Sequence, residues 1–223
     1  SHITSATALI FPVKEIIELA KKNNILTIID GAHVPAHIEL DIKKLDPDFY
    51  CGACHKWMCS PKGVAFLYVK KEFQKMMEPL VVSWGYEAEN PSKSQFLDYM
   101  QWQGTNDMSA YLTVPDTINF LNDHKWNDKA KKCRELNLWA KNEICEELNT
   151  FCVGKDEFLG QMTTIAFDFN DTINEKIKFY NKYKIQVPFI KWNNKTFFRI
   201  SSQVYNSKED FEYLISSLKD FKK

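Results

Sequence analysis

The stretch Ile25–Gly63, ILTIIDGAHVPAHIELDIKKLDPDFYCGACHKWMCSPKG, constrains the fold of this chain more than any other. Its apolar run Ile25–Ile29 stops abruptly at Asp30 and Gly31, the pattern of a buried strand running into a loop. A second run, Asp48–Cys54, ends in His55 and Lys56. Open α/β sheets place ligands at the carboxyl ends of their strands. Two neighbouring strands would therefore deliver an acid, an imidazole and a lysine to one edge.

The flanking sequence supports such a sheet. Thr7–Phe11 is a short strand candidate, and Pro12 is suited to open a helix over Pro12–Asn23 with Val13, Ile16, Ile17 and Ala20 on one face. With Ile25–Ile29 this makes a β-α-β unit, which implies parallel strands and a right-handed crossover. A short helix is expected within His37–Leu45, a strand at Val64–Val69 and a helix at Lys70–Met77 that Pro79 stops. Ser83–Gln103 is aromatic and polar without a clean period, which suits a long functional loop or interface segment. Asp107–Leu121 reads as a helix despite Pro115, and Asn127–Asn149 as a long amphipathic one. Strands at Thr163–Phe169, Ile185–Ile190 and Phe197–Ser201 follow, with helices at Thr172–Tyr183 and Lys208–Phe221. The predicted class is α/β, with a three-layer, mainly parallel large domain over 1–125 and a small α+β domain over 126–223.

Composition removes several functions. The 29 basic and 29 acidic residues balance, so no basic excess points to nucleic acid. No apolar run approaches the length of a membrane span. Six scattered cysteines do not make a secreted disulfide framework and point to a reducing cytoplasm. The chain opens at Ser1 and enters an apolar segment without cap or polar lead-in, so it reads as a C-terminal fragment.

The candidate chemistry begins at Lys56. A lysine that attacks a carbonyl must be fixed and partly desolvated so that its amine can be neutral. Most lysines are solvated, but this one lies between the apolar DFYCGAC and Trp57–Met58. Asp30 suits a ring nitrogen that must stay protonated; its ordinary role would be a turn cap. His33 could donate to a ring hydroxyl or be a satisfied loop histidine, and His55 could orient the lysine or shuttle a proton. Together these groups suit a cofactor with a basic nitrogen and an aldehyde, namely pyridoxal 5′-phosphate. A competing metal site would use Cys51, Cys54, His55 and Cys59. No second C-x-x-C pair occurs, and strand alternation would turn Cys51 and Cys54 to opposite faces, so no metal is expected. Arg199 stands out because only it and Arg134 are arginine among the 29 basic residues. Inside the apolar FFRIS it suits a bidentate grip on a carboxylate, with a structural ion pair as the plain alternative.

Four separated motifs now share the order and rough spacing of one family: DGAH at 30–33, HKW at 55–57 with PKG at 61–63, QGTND at 103–107, and FRISSQVYN at 198–206. The chain resembles the fold-type I pyridoxal-phosphate enzymes of aminotransferase class V, and within them the isopenicillin N epimerase-like branch. The resemblance implies that Lys56 binds the cofactor covalently, Asp30 pairs with the pyridine nitrogen, His33 contacts the ring hydroxyl and His55 lies beside the ring. It also implies that Thr105 reaches the phosphate of a neighbouring subunit, making a homodimer with shared sites, and that Arg199 holds the substrate α-carboxylate. Two departures stand out. Ala53 occupies a position where many relatives carry a phosphate-binding Ser or Asn, and the glycine-rich phosphate turn of the family is not in this chain. Desulfurases of the family attack sulfur with a late cysteine, whereas no cysteine follows Cys152 here. The expected function is chemistry at the Cα of an amino-acid-type substrate: epimerisation, C–S lyase elimination or transamination. A non-catalytic remnant serving as a binding or structural partner is the alternative.

Overall fold

Two three-stranded sheets carry the chain in the computed structural model, which describes residues 1–169 and 172–222. In the first sheet β1 (Ile28–Asp30) runs parallel to β2 (Phe49–Ala53), with Asp30 level with Cys51. β3 (Ala65–Val69) closes the other side of β2 in the antiparallel sense. The register of the parallel pair is pinned by the buried Asp48, whose carboxylate accepts from Thr27 N at 2.8 Å and Thr27 Oγ1 at 3.0 Å. Helix α1 (Val13–Lys22) lays Val13 and Ile17 against Ile29 and Tyr50. The short α2 (Ile42–Leu45), capped by Asp41, leads the chain back to β2.

Beyond the sheet, a 3₁₀ turn at Lys71–Met76 precedes α3 (Gln95–Gln101), α4 (Ser109–Leu112) and α5 (Val114–Asp123). The long α6 (Trp126–Glu147) then covers the second sheet, whose strands β4 (Met162–Ala166), β5 (Phe189–Trp192) and β6 (Lys195–Ser201) lie in the antiparallel order β4-β6-β5. α7 (Thr172–Tyr183) and α8 (Lys208–Phe221) complete this unit around Ala140, Ile144, Ile165, Phe179, Phe198 and Leu218. Ser207 and Asp210 form a capping box that starts α8. Among the described residues no helix is long and apolar enough to cross a membrane.

Several local expectations are corrected. Thr7–Phe11 is no strand: Ala8 turns to φ +60°, the Thr4 and Thr7 hydroxyls bond at 2.6 Å, and only single bridges remain at Ile3–Ile10 and Leu9–Leu159. Pro12 caps α1 instead of opening it. Ile25 and Leu26, 60% and 50% exposed, lie outside β1. The helix expected over Asp107–Leu121 is split at Thr113, and Pro115 falls in the first turn of α5, where its missing N–H costs nothing. β5 sits later than the apolar run Ile185–Ile190 because Asn193 and Asn194, at φ +48° and +57°, make a two-residue hairpin turn that pairs Trp192 with Lys195.

Candidate active site

Asp30 ends β1, and the chain turns sharply behind it. Gly31 N donates to Cys51 O at 2.8 Å, and a Cβ built on Gly31 would lie 2.1 Å from Tyr50 Oη, so only glycine fits between the two strands. The Asp30 carboxylate accepts from Ala32 N at 3.0 Å and from Ser1 Oγ at 3.1 Å. These hydrogen bonds, the Ala32 amide first, hold its carboxyl below the usual range. It is therefore a fixed negative charge at the strand end.

The turn that follows places His33 opposite Lys56, which leaves the end of β2 through a turn closed by Cys59 N on Lys56 O at 3.1 Å. Lys56 Nζ lies 3.3 Å from His33 Nε2, and Trp57 Nε1 donates to His33 Nδ1 at 3.4 Å. Burial lowers the Lys56 ammonium below its ordinary pKa; Asp30 opposes this and Arg199 adds to it. Burial also lowers His33 to about 4, reinforced by the Lys56 and Arg199 cations against the pull of Asp30. The amine is thus biased towards its neutral, nucleophilic form beside a neutral imidazole.

Arg199 reaches this group from the second sheet, where it lies level with Thr164 across the β4–β6 pair. Its Nη1 donates to the Ser5 carbonyl and, at 3.0 Å, to Ser5 Oγ, while its Nε is buried without a partner. Among the described residues no carboxylate lies within ion-pair distance of it. The structural ion pair considered for Arg199 is therefore not formed within them, and its Nε–H has no partner among the described residues.

The other two expected residues stand apart. His55 Nδ1 is turned to the Val64 carbonyl at 2.9 Å. Thr105 is exposed on the turn after α3, beside Gly104 at φ +107°, and no hydrogen bond joins it to Lys56 among the described residues. Three residues that sequence reasoning passed over belong to the cluster. The buried His37 donates from Nδ1 to His33 O at 3.0 Å and accepts Gln161 N on Nε2 at 2.6 Å. Trp57 supplies an indole N–H as well as apolar bulk, and Ser5 anchors Arg199. The i, i+4 repeat of histidine in HVPAH was the signal available for His37.

Among the described residues no group of three or more His, Cys, Asp or Glu is placed to hold a metal ion. The donor set instead fits the ring and aldehyde of pyridoxal 5′-phosphate: a fixed carboxylate, a partly desolvated amine, an imidazole beside that amine and a guanidinium Nε–H without a partner among the described residues. Ala53, at the position where the resemblance expects a phosphate contact, is buried and has no side-chain donor.

The family model described as aminotransferase class-V matches residues 1–214. The chain is similar to isopenicillin N epimerase of Amycolatopsis lactamdurans, 29% identical over all of this chain and 59% of that protein. It is equally similar to hercynylcysteine sulfoxide lyase of Schizosaccharomyces pombe, 29% identical over 98% of this chain and 57% of that protein. It thus spans less than two thirds of the length of either relative. Its fold superposes on the apo cysteine desulfurase of Thermococcus onnurineus NA1 with a TM-score of 0.82 at 19% identity, covering 98% of this chain and 58% of that one.

Proposed function

Because the chain belongs to the aminotransferase class-V family, we propose that it carries the catalytic lysine and the substrate-carboxylate site of a pyridoxal-phosphate enzyme acting at the Cα of an amino-acid-type substrate. The names of its relatives, an epimerase and a sulfoxide lyase, favour epimerisation or C–S elimination over transamination. The cofactor, pyridoxal 5′-phosphate, supplies the electron sink for charge developed at Cα.

The chain's own residues do the rest. Lys56 would hold the cofactor by its aldehyde and, once displaced from it by the substrate amine, would take up or return the Cα proton, which the lowered pKa of its ammonium favours. Asp30 would hold the proton on the ring nitrogen through its fixed negative charge. His33 would donate to the ring hydroxyl. Arg199 would grip the α-carboxylate through its Nε–H, which has no partner among the described residues, and so orient the substrate at Cα. Thr105 completes the phosphate site of a second subunit in a cytoplasmic homodimer. We assign residues 1–125 to the cofactor domain and 126–223 to the small domain.

The observation that carries this reading is the Lys56–His33 contact at 3.3 Å with Arg199 and Asp30 acting on the same amine. Borohydride reduction of the cofactor-loaded protein followed by peptide mapping tests it. The label is expected on Lys56, and Lys56→Ala should abolish both label and near-visible absorbance. A label on Lys62 would move the site, and no label at all would favour a non-catalytic binding role.

A further inference from the structure

Lys56 faces one nitrogen of His33, and what lies behind the other nitrogen decides how His33 behaves. We propose that Trp57 is a positioning residue whose indole N–H fixes His33 as the Nε2–H tautomer, so that the edge facing Lys56 donates. This rests on the function proposed above for its use, but not for its geometry.

An indole N–H can only donate, so the His33 Nδ1 that receives it at 3.4 Å must be bare. A neutral imidazole bare at Nδ1 carries its proton on Nε2. That N–H points at Lys56 Nζ, 3.3 Å away. Two donors cannot share one hydrogen bond, so the contact requires the lone pair of a neutral amine. Burial of the ring and the Arg199 cation oppose a second proton on it, and Asp30 is the group favouring one.

Trp57 is itself held still. It is 8% exposed and packs among Ile3, Ala8, Val34 and Met162. Its ring lies 4.2 Å from that of His37, tilted by 37°. His37 is locked in the opposite tautomer, since its Nε2 accepts the Gln161 amide and its Nδ1–H donates to the His33 carbonyl. Two neighbouring imidazoles are thus set to opposite tautomers by donors that cannot turn. Without the indole N–H, His33 could move its proton to Nδ1 and accept from a Lys56 ammonium.

Long-range proton–nitrogen spectra of the intact, cofactor-free protein labelled with nitrogen-15 histidine distinguish the tautomers directly. Wild type should show His33 protonated on Nε2 alone. Trp57→Phe, which keeps a ring in the pocket but removes the donor, should show a mixture. The variant should also capture pyridoxal phosphate at neutral pH about fivefold more slowly, the factor one net hydrogen bond carries, with the difference vanishing at alkaline pH. A merely structural tryptophan would not produce that pH signature. Should Trp57→Phe fail to fold, Lys56→Ala keeps the test open, since His33 should stay Nε2–H with Trp57 in place. Nδ1 protonation in wild type, an unchanged tautomer in Trp57→Phe, or a switched one in Lys56→Ala would each overturn the proposal. The tautomer is read without cofactor, so a failed borohydride label refutes the function and leaves this result standing.

Discussion

Arg199→Lys separates the substrate role from the structural one. The guanidinium commits Nη1 to Ser5 and leaves Nε buried without a partner among the described residues, and in the proposed role that Nε–H and a terminal N–H would meet the carboxylate. Lysine keeps the charge but offers a single point, losing one of two parallel charge-assisted hydrogen bonds. Such a bond contributes about 1.5–3 kcal/mol, or about 10- to 150-fold in kcat/KM. The loss of the Ser5 contacts should cost stability by about 1 kcal/mol, a few degrees in Tm. Steady-state kinetics, thermal melting and the spectrum of the bound cofactor would be measured on the same preparation. The expected pattern is a large drop in kcat/KM, a small drop in Tm and an unchanged spectrum. If Tm falls and kcat/KM per folded molecule stays at the wild-type value, Arg199 only anchors β6 to the Ser5 segment and the carboxylate is held elsewhere.

Three further outcomes can be checked. Asp30→Asn should retain cofactor but lower kcat by about 100-fold, the scale for losing one preorganised electrostatic group; near-normal turnover would reduce Asp30 to a cap for the Ala32 amide. Gly31→Ala should destabilise the fold by about 1–3 kcal/mol, because its methyl meets Tyr50, which is fully buried and bonded through Oη to His2 Nδ1 at 3.0 Å. An unchanged denaturation midpoint would show that the strand ends part easily. Burial pushes the His37 imidazole down to about 3 from 6.5, so the folded state holds it neutral while the unfolded chain protonates. Its contribution is complete above pH 6.5 and is lost on acidification, about 2 kcal/mol by pH 5. His37→Gln should flatten that part of the stability profile, and a variant as acid-sensitive as wild type would contradict the assignment.

The parts of the site that sequence reveals are those with a local signature. DGAH and HKW each lie at the carboxyl end of an apolar run that is strand at least in its last residues, Ile28–Asp30 and Phe49–Ala53, so the runs alone set Asp30 and Lys56 at one sheet edge. Arg199 was legible by rarity. What stayed hidden depends on contacts across long separations. Nothing near Trp57 indicates that its N–H meets a histidine 24 positions earlier, and nothing near His37 points to Gln161, 124 positions later. Strand boundaries failed where turns, not apolar runs, set them. The Asn193–Asn194 turn drew β5 past Ile190, and the hydroxyl pair of Thr4 and Thr7 folded an apolar segment back before it could become a strand.

The meeting of His37 with the Gly160–Gln161 peptide also restricts how this sequence can drift. A Cβ on residue 160 would come within 2.3 Å of His37 Nε2, and the ring cannot retreat without releasing the Gln161 amide and the His33 carbonyl that hold it. Any side chain at 160 therefore requires a different residue at 37. Substitution at either place alone crosses a valley in stability, so the two positions, one beside the proposed catalytic loop and one at the mouth of β4, are bound to be inherited as a unit.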